Sequence, residues 1–186
     1  MAVAGRIVIR KYQPSDQDKV LDLFADGMKE YEHQGPEGSW AWYIKRSMES
    51  DLVNIEQVYD IGKEDDAIHI GCFWVAERDG DLIGMVAAEA LNDRPGVAEL
   101  RRMSVSRNAR RLGLAKRLVK TLEDWCRAHQ FNRVILSTRE SMQVACSLYQ
   151  LLGYVRNHTE IYKFEKRDGA VVAFKAPGDR YRLANY

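Results

Sequence analysis

Cysteine and long apolar runs are both scarce in this chain, and each scarcity excludes a class of protein. The three cysteines, Cys72, Cys126 and Cys146, are odd in number and lack paired ligand spacing, so neither a disulfide framework nor a cysteine zinc site is expected. The four histidines, His33, His69, His129 and His158, are scattered without a pair at helical spacing, and no metal is predicted. No stretch approaches the roughly 18 apolar residues that cross a bilayer, and residues 1–10 lack the apolar centre of a signal peptide. The expected location is therefore the cytosol or nucleus, without a membrane partner. A net charge of +1 excludes a globally basic nucleic-acid binder.

What is present is enough apolar material for one core. At 186 residues with 46% apolar and 30% charged composition, the chain is expected to form a single domain over residues 1–186, with 176–186 as a tail. Charge is unevenly spread: residues 100–122 hold eight basic side chains (Arg101, Arg102, Arg107, Arg110, Arg111, Lys116, Arg117, Lys120) and no acidic one. No aromatic residue interleaves them, which argues against a single-strand nucleic-acid platform. A solvated helix face and a phosphate site both remain open.

Hydrophobic periodicity supplies the elements. Residues 6–10 alternate as a first strand, and Ser15 with Asp18 reads as a capping box before the apolar face Val20, Leu21, Phe24 and Met28. A second helix is expected over residues 40–48, whereas 51–71 reads as partly helical with a loop. Asp79-Gly80 between residues 73–77 and 82–87 predicts a tight antiparallel hairpin. In the strand at 97–105 the apolar phase slips between Leu100 and Met103, which predicts a β-bulge. A helix to about His129, a strand at 133–137, a helix at 141–152 stopped by Gly153, strands over 155–164 and a hairpin turning at Asp168-Gly169 complete a mixed α+β pattern: a mostly antiparallel sheet flanked by helices.

The strand at 97–105 feeds Arg110-Arg111-Leu112-Gly113-Leu114-Ala115, a Gly-containing turn that opens a helix. Such a turn offers unpaired backbone N–H groups at a positive dipole end, which suits a pyrophosphate. It lacks the Lys-Ser/Thr of a nucleotide P-loop and the three glycines of a dinucleotide fold. The pattern Arg-x-x-Gly-x-Ala resembles the phosphate loop of the GNAT N-acetyltransferase superfamily, and Ala145-x-x-Leu148-Tyr149-x-x-x-Gly153-Tyr154 is similar to that family's second motif, in the right order. The motif-bearing core is 97–154. Residues 71–86 and Glu99-Leu100-Arg101-Arg102-Met103-Ser104-Val105 further resemble the camello branch, whose membrane anchor is not seen in this sequence.

The resemblance implies a GNAT fold and acetyl-CoA as acyl donor to a primary amine, either a small molecule or a peptide or protein lysine, by direct transfer in a ternary complex. It places the pyrophosphate on Arg110, Arg111, Leu112, Gly113, Leu114, Ala115 and Lys116, and the pantetheine arm on the backbones of Met103 and Val105. Glu99 aligns with a glutamate that serves as general base in some members; the other reading is a surface-facing strand residue or an ion-pair partner of Arg101 or Arg102. Tyr149 aligns with the proton donor to the thiolate, or is a core aromatic. Arg111 stands where the family usually has glycine, and Met142 where many members have asparagine. A covalent route through Cys146 lacks a histidine nearby in sequence to activate it. A non-catalytic acyl-CoA sensor is the alternative outside enzymology, and the acceptor walls are expected from residues 30–50 and 156–164, where Tyr31, Trp40, Trp42, Tyr43 and Tyr162 line a groove or a core. Oligomeric state is left open.

Overall fold

A computed structural model describes residues 5–33, 39–59, 61, 71–164 and 167–175. The described strands are β1 (Val8–Lys11), β2 (Gly71–Arg78), β3 (Asp81–Ala90), β4 (Val97–Val105), β5 (Arg133–Arg139), β6 (Val155–Phe164) and β7 (Arg167–Lys175), forming one sheet in the order β1-β2-β3-β4-β5-β7-β6. Neighbours are antiparallel except β4 and β5, which are parallel. Helices α1 (Gln17–Lys29), α2 (Ser39–Met48) and α3 (Ile55–Val58) precede β2, α4 (Leu114–Ala128) crosses from β4 to β5, and α5 (Gln143–Leu151) from β5 to β6.

Both faces of the central strands are covered, which explains why β2 and β3 read as nearly continuous apolar runs. Alternate residues point to opposite faces. Phe73, Val75, Met85 and Ala87 pack with α1, α2 and α3, whereas Cys72, Trp74, Ala76, Val86 and Ala88 pack with α4. The stripe Leu114, Leu118, Val119, Leu122 and Cys126 of α4 is buried against that face. A Cβ on Gly84 would come 3.1 Å from both Leu114 and Leu118, so glycine there lets the first turn of α4 settle onto the sheet. Asp79 and Gly80 take φ of 54° and 86°, the two left-handed residues that a tight hairpin between Arg78 and Asp81 demands.

The slip in β4 is a bulge. Ala87 pairs with Arg101 and Met85 with Ser104, so Arg102 and Met103 together oppose Val86. Arg102 takes φ of 54°, which keeps both Leu100 and Met103 on the α4 face. Pairing of β4 with β5 covers only Val97–Arg133, Ala98–Val134 and Glu99–Ile135; beyond Glu99 the two strands part, while β5 continues alongside β7.

Two local expectations are corrected. Ser15 lies inside a 3-10 turn, Pro14–Asp16, and the capping box is formed instead by Gln13 and Asp16, whose carboxylate accepts the Gln13 N–H at 2.9 Å and is held by Arg10. The last hairpin does not turn at Asp168-Gly169: these residues belong to β7, opposite Lys163 and Tyr162, and the pairing runs on to Phe164 opposite Arg167. The other edge of β7 is registered on β5 from Ile135–Lys175 to Arg139–Val171, and this longer pairing overrides the local turn preference. The expected loop within 62–70, the tail 176–186 and the side chain of Tyr162 lie outside the described residues.

Candidate active site

The opening between β4 and β5 continues into a cavity of about 470 Å³. Glu99, Leu100 and Met103 of β4 line one side, Ser137, Thr138 and Arg139 of β5 the other. Tyr149 reaches it from α5, and Phe24, Trp40 and Tyr43 close it from α1 and α2. Glu99 and Met103 of β4 therefore share one chamber with Tyr149, which lies far along the chain. A larger hollow of about 700 Å³ lies between α1 and the adjoining ends of β3 and β4; it holds Val105 but neither Glu99 nor Tyr149.

Glu99 is half-buried between Glu89 and Ile135 in register. Burial pushes its carboxyl above the ordinary carboxylate range; Arg101 works against that shift and Glu89 adds to it. Its side chain makes no hydrogen bond or ion pair among the described residues. The ion-pair reading is thus set aside, because Arg101 is bound to Glu89, and Arg102 to Asp51. Tyr149 is 5% exposed, its ring 5.8 Å from that of Tyr154, and burial pushes its hydroxyl pKa up so that it stays protonated.

The bulge is anchored by residues that the sequence did not single out. Asp51, buried, accepts from Arg102 Nε at 2.7 Å and from the Tyr59 hydroxyl at 2.5 Å; its second oxygen takes the other arm of Arg102. Arg102 also donates to Ser47 Oγ at 2.9 Å and lies 5.2 Å from the Phe24 ring. Arg102 and Met103 have no partner in register on either neighbouring strand. No periodicity marks Asp51, which sits in the least legible segment of the sequence.

Beyond β4 the chain makes a 3-10 turn, Arg107–Ala109, then an exposed loop in which Arg111 takes φ of 61° and Gly113 of 70°. Gly113 is the N-cap of α4, and a Cβ there would meet nothing within 4 Å. From Arg111 to Lys116 no backbone N–H donates a hydrogen bond among the described residues, which leaves a run of donors at the positive end of α4. The side chains of Arg111 and Lys116 form no ion pair there, whereas Arg110 is engaged: it donates to Glu30 at 2.7 Å and to the Val105 carbonyl at 3.4 Å. Arg107 meets the same Glu30 oxygen at 2.7 Å, so the end of α1 is tied to the loop. Met142 is the N-cap of α5 and accepts through sulfur from Thr138, a contact within the site wall. Among the described residues no helix is long and apolar enough to cross a membrane.

Comparison with known proteins agrees with this geometry. The acetyltransferase (GNAT) family model matches residues 10–154. N-acetyltransferase family 8 member 7 of Mus musculus is 30% identical over 201 aligned positions, covering 86% of this chain and 88% of its own. Probable N-acetyltransferase camello of Xenopus tropicalis is 28% identical, over 84% of this chain and 90% of its own. Among solved structures, the PaiA N-acetyltransferase of Thermoplasma acidophilum in complex with coenzyme A superposes with a TM-score of 0.68 over 90% of this chain and 98% of its own, at 18% identity. The chain belongs to the GNAT family of acetyltransferases, and its mixed sheet with parted parallel strands is that family's fold.

Proposed function

We propose that this chain forms one acetyltransferase domain that moves the acetyl group of acetyl-CoA directly to a primary amine within a ternary complex. The observation that carries the reading is the meeting of Glu99, Met103 and Tyr149 around the cavity where β4 and β5 part. The unpaired N–H run from Arg111 to Lys116, with two uncompensated cations, fits a pyrophosphate. The unpaired edge of β4 beyond Glu99 fits the amides of a pantetheine arm, leading the thioester from the loop to the bulge.

An alkyl amine of pKa about 10.4 is neutral about once in two thousand molecules near pH 7, so removing its proton is part of the work. Glu99, without a hydrogen bond or ion pair among the described residues and with a raised pKa, accepts that proton directly or through one water. The amine nitrogen bonds to the thioester carbon, and the carbonyl electrons move to oxygen, facing the Met103 backbone N–H at the bulge. The C–S bond then breaks with the electron pair on sulfur. Tyr149, protonated at working pH, gives its proton to that thiolate, and the remaining proton on the acylated nitrogen returns to the Tyr149 oxygen through water. The acceptor is a small amine or a peptide or protein lysine.

The test is a turnover screen with acetyl-CoA over amino acids, polyamines, aminosugars and peptides, repeated with Tyr149→Phe. The phenylalanine keeps the ring and its packing, so kcat should fall about 10²-fold or more while acetyl-CoA affinity holds. Wild-type turnover in Tyr149→Phe with the true acceptor would remove the tyrosine from the mechanism. Tight acetyl-CoA binding with no acceptor in the screen would favour a sensor.

A further inference from the structure

Two arginines follow Glu99 closely in its own strand, and Glu99 bonds neither of them. Strand alternation puts Glu99 and Arg101 on the face opposite Ala98 and Leu100, the same face as Met85 and Ala87 of β3. The neighbour of Glu99 across the strands is a second acid: Glu89 of β3 stands directly opposite it in register. Like charges in that position repel. Arg101 is set opposite Ala87, and its side chain reaches diagonally to Glu89, which it binds through Nη1. Its Nη2 lies 3.7 Å from an Asp51 oxygen. Both arms of Arg101 are therefore turned to acids other than Glu99.

The remaining charges around Glu99 are also engaged elsewhere. Arg102 is held by Asp51, and Arg94, in the turn before β4, lies 3.5 Å from Asp93. Across the cavity Arg139 is 4.4 Å from the Trp40 ring centre and Arg46 5.4 Å from that of Trp42, and neither pairs with an acid among the described residues. Tyr43 and Tyr149 complete the titratable groups that line the cavity with Glu99. A carboxylate that must take a proton needs an oxygen lone pair not already given to a guanidinium, and a cation bonded to it would weaken it as a base.

We propose that Glu89 and Arg101 are positioning residues for the base: Glu89 holds the Arg101 guanidinium off Glu99 and so leaves the Glu99 oxygens open to the acceptor's proton. The inference rests on the acetyl-transfer reading above, with Glu99 as base, and adds the pair that sets the strength of that base. The two act on Glu99 in opposite senses, Glu89 favouring its protonated form and Arg101 its ionised form. Removing Glu89 takes away a repelling charge and releases Arg101, whereas removing Arg101 leaves Glu89 unneutralised beside Glu99.

Opposed substitutions test it. The Glu99 carboxyl is titrated by carbon-13 NMR in the protein without substrates, its signal identified by its loss in Glu99→Gln. The acidic limb of kcat/KM is measured with acetyl-CoA saturating and an amine found in the turnover screen. Glu89→Gln should move both the midpoint and the limb to lower pH by about one pH unit, and Arg101→Gln should move both to higher pH by a similar amount. Arg101→Lys, which keeps a cation, should stay near the wild type. Midpoints that do not move, or that move the same way in Glu89→Gln and Arg101→Gln, overturn the role of the pair. Midpoints that move in opposite directions while the limb stays put remove Glu99 as the base, and this inference with it, but leave acetyl transfer standing. Turnover of no amine by protein that binds acetyl-CoA overturns the transfer reading and the catalytic role of the pair together. Should Arg101→Gln fail to fold, Glu89→Gln and Arg101→Lys decide.

Discussion

Replacing Asp51 by asparagine keeps the shape of the side chain and removes the charge that organises the back of the site. Asp51 is 5% exposed, and the Arg102 side chain beside it is 6% exposed. Burial alone would raise the Asp51 carboxyl; the hydrogen bonds and charge of Arg102 outweigh it and hold the group at about 2, below its ordinary 3.8. Asparagine turns one acceptor oxygen into a donor aimed at a guanidinium, leaving a buried cation without compensation. Breaking a buried pair from one side costs about 3–5 kcal/mol, which in a chain of this length lowers Tm by about 6–20 °C. The pH dependence follows from the lowered pKa. Ionised Asp51 contributes about 2 kcal/mol above roughly pH 5, and the contribution is lost as pH falls through about 4 towards 2. Urea unfolding of wild type and Asp51→Asn at pH 7, 4.5 and 3 measures both effects. The gap should be widest at pH 7 and narrow in acid; a gap under about 1 kcal/mol at pH 7, or one that widens in acid, refutes the assignment.

Two further outcomes are expected. Because burial raises the Glu99 carboxyl, the acidic limb of kcat/KM should lie above the ordinary carboxylate range, with activity lost as pH falls through it; Glu99→Gln should lower the plateau by about 10²-fold and flatten that limb, and a limb that persists in the mutant assigns it elsewhere. Arg111→Gly relieves a left-handed φ of 61° worth about 1 kcal/mol but frees the unfolded chain by a similar amount, so the Tm without ligand should move by less than about 3 °C. Its affinity for coenzyme A should fall and depend less steeply on salt than the wild type's, and equal slopes would reject a charge role.

The sheet, the hairpin turn and the bulge were legible because each leaves a local mark: alternation buried on two sides, an Asp-Gly turn, and a three-residue step from Leu100 to Met103. Motif spacing marked the loop at Gly113 and Tyr149 as candidates, and the fold places Glu99, Met103 and Tyr149 around one cavity. Asp51, Tyr59 and Glu30 left no mark, because each acts on a residue far along the chain and none interrupts a periodic pattern. The final hairpin was misplaced for a related reason. Asp168-Gly169 is a sound turn signal in isolation, but the register of β7 on β5 is a property of the whole sheet.

Local rules are broken most sharply at the two ends of the proposed donor path. Arg102 and Arg111 are both left-handed arginines, one at the bulge beside the cavity and one in the loop before α4. Their support differs. Arg102 is held by Asp51, Ser47 and the Phe24 face, so its backbone is fixed by the side chain's own anchors. Arg111 has no such anchor among the described residues, and its side chain is exposed. A glycine would take the same φ without cost, so packing does not explain arginine at 111. What arginine adds there is a charge beside unpaired backbone donors, and the benefit of that charge arises when an anion arrives. At 102, by contrast, the charge is already neutralised by Asp51, and its benefit is a bulge kept in place before any ligand binds.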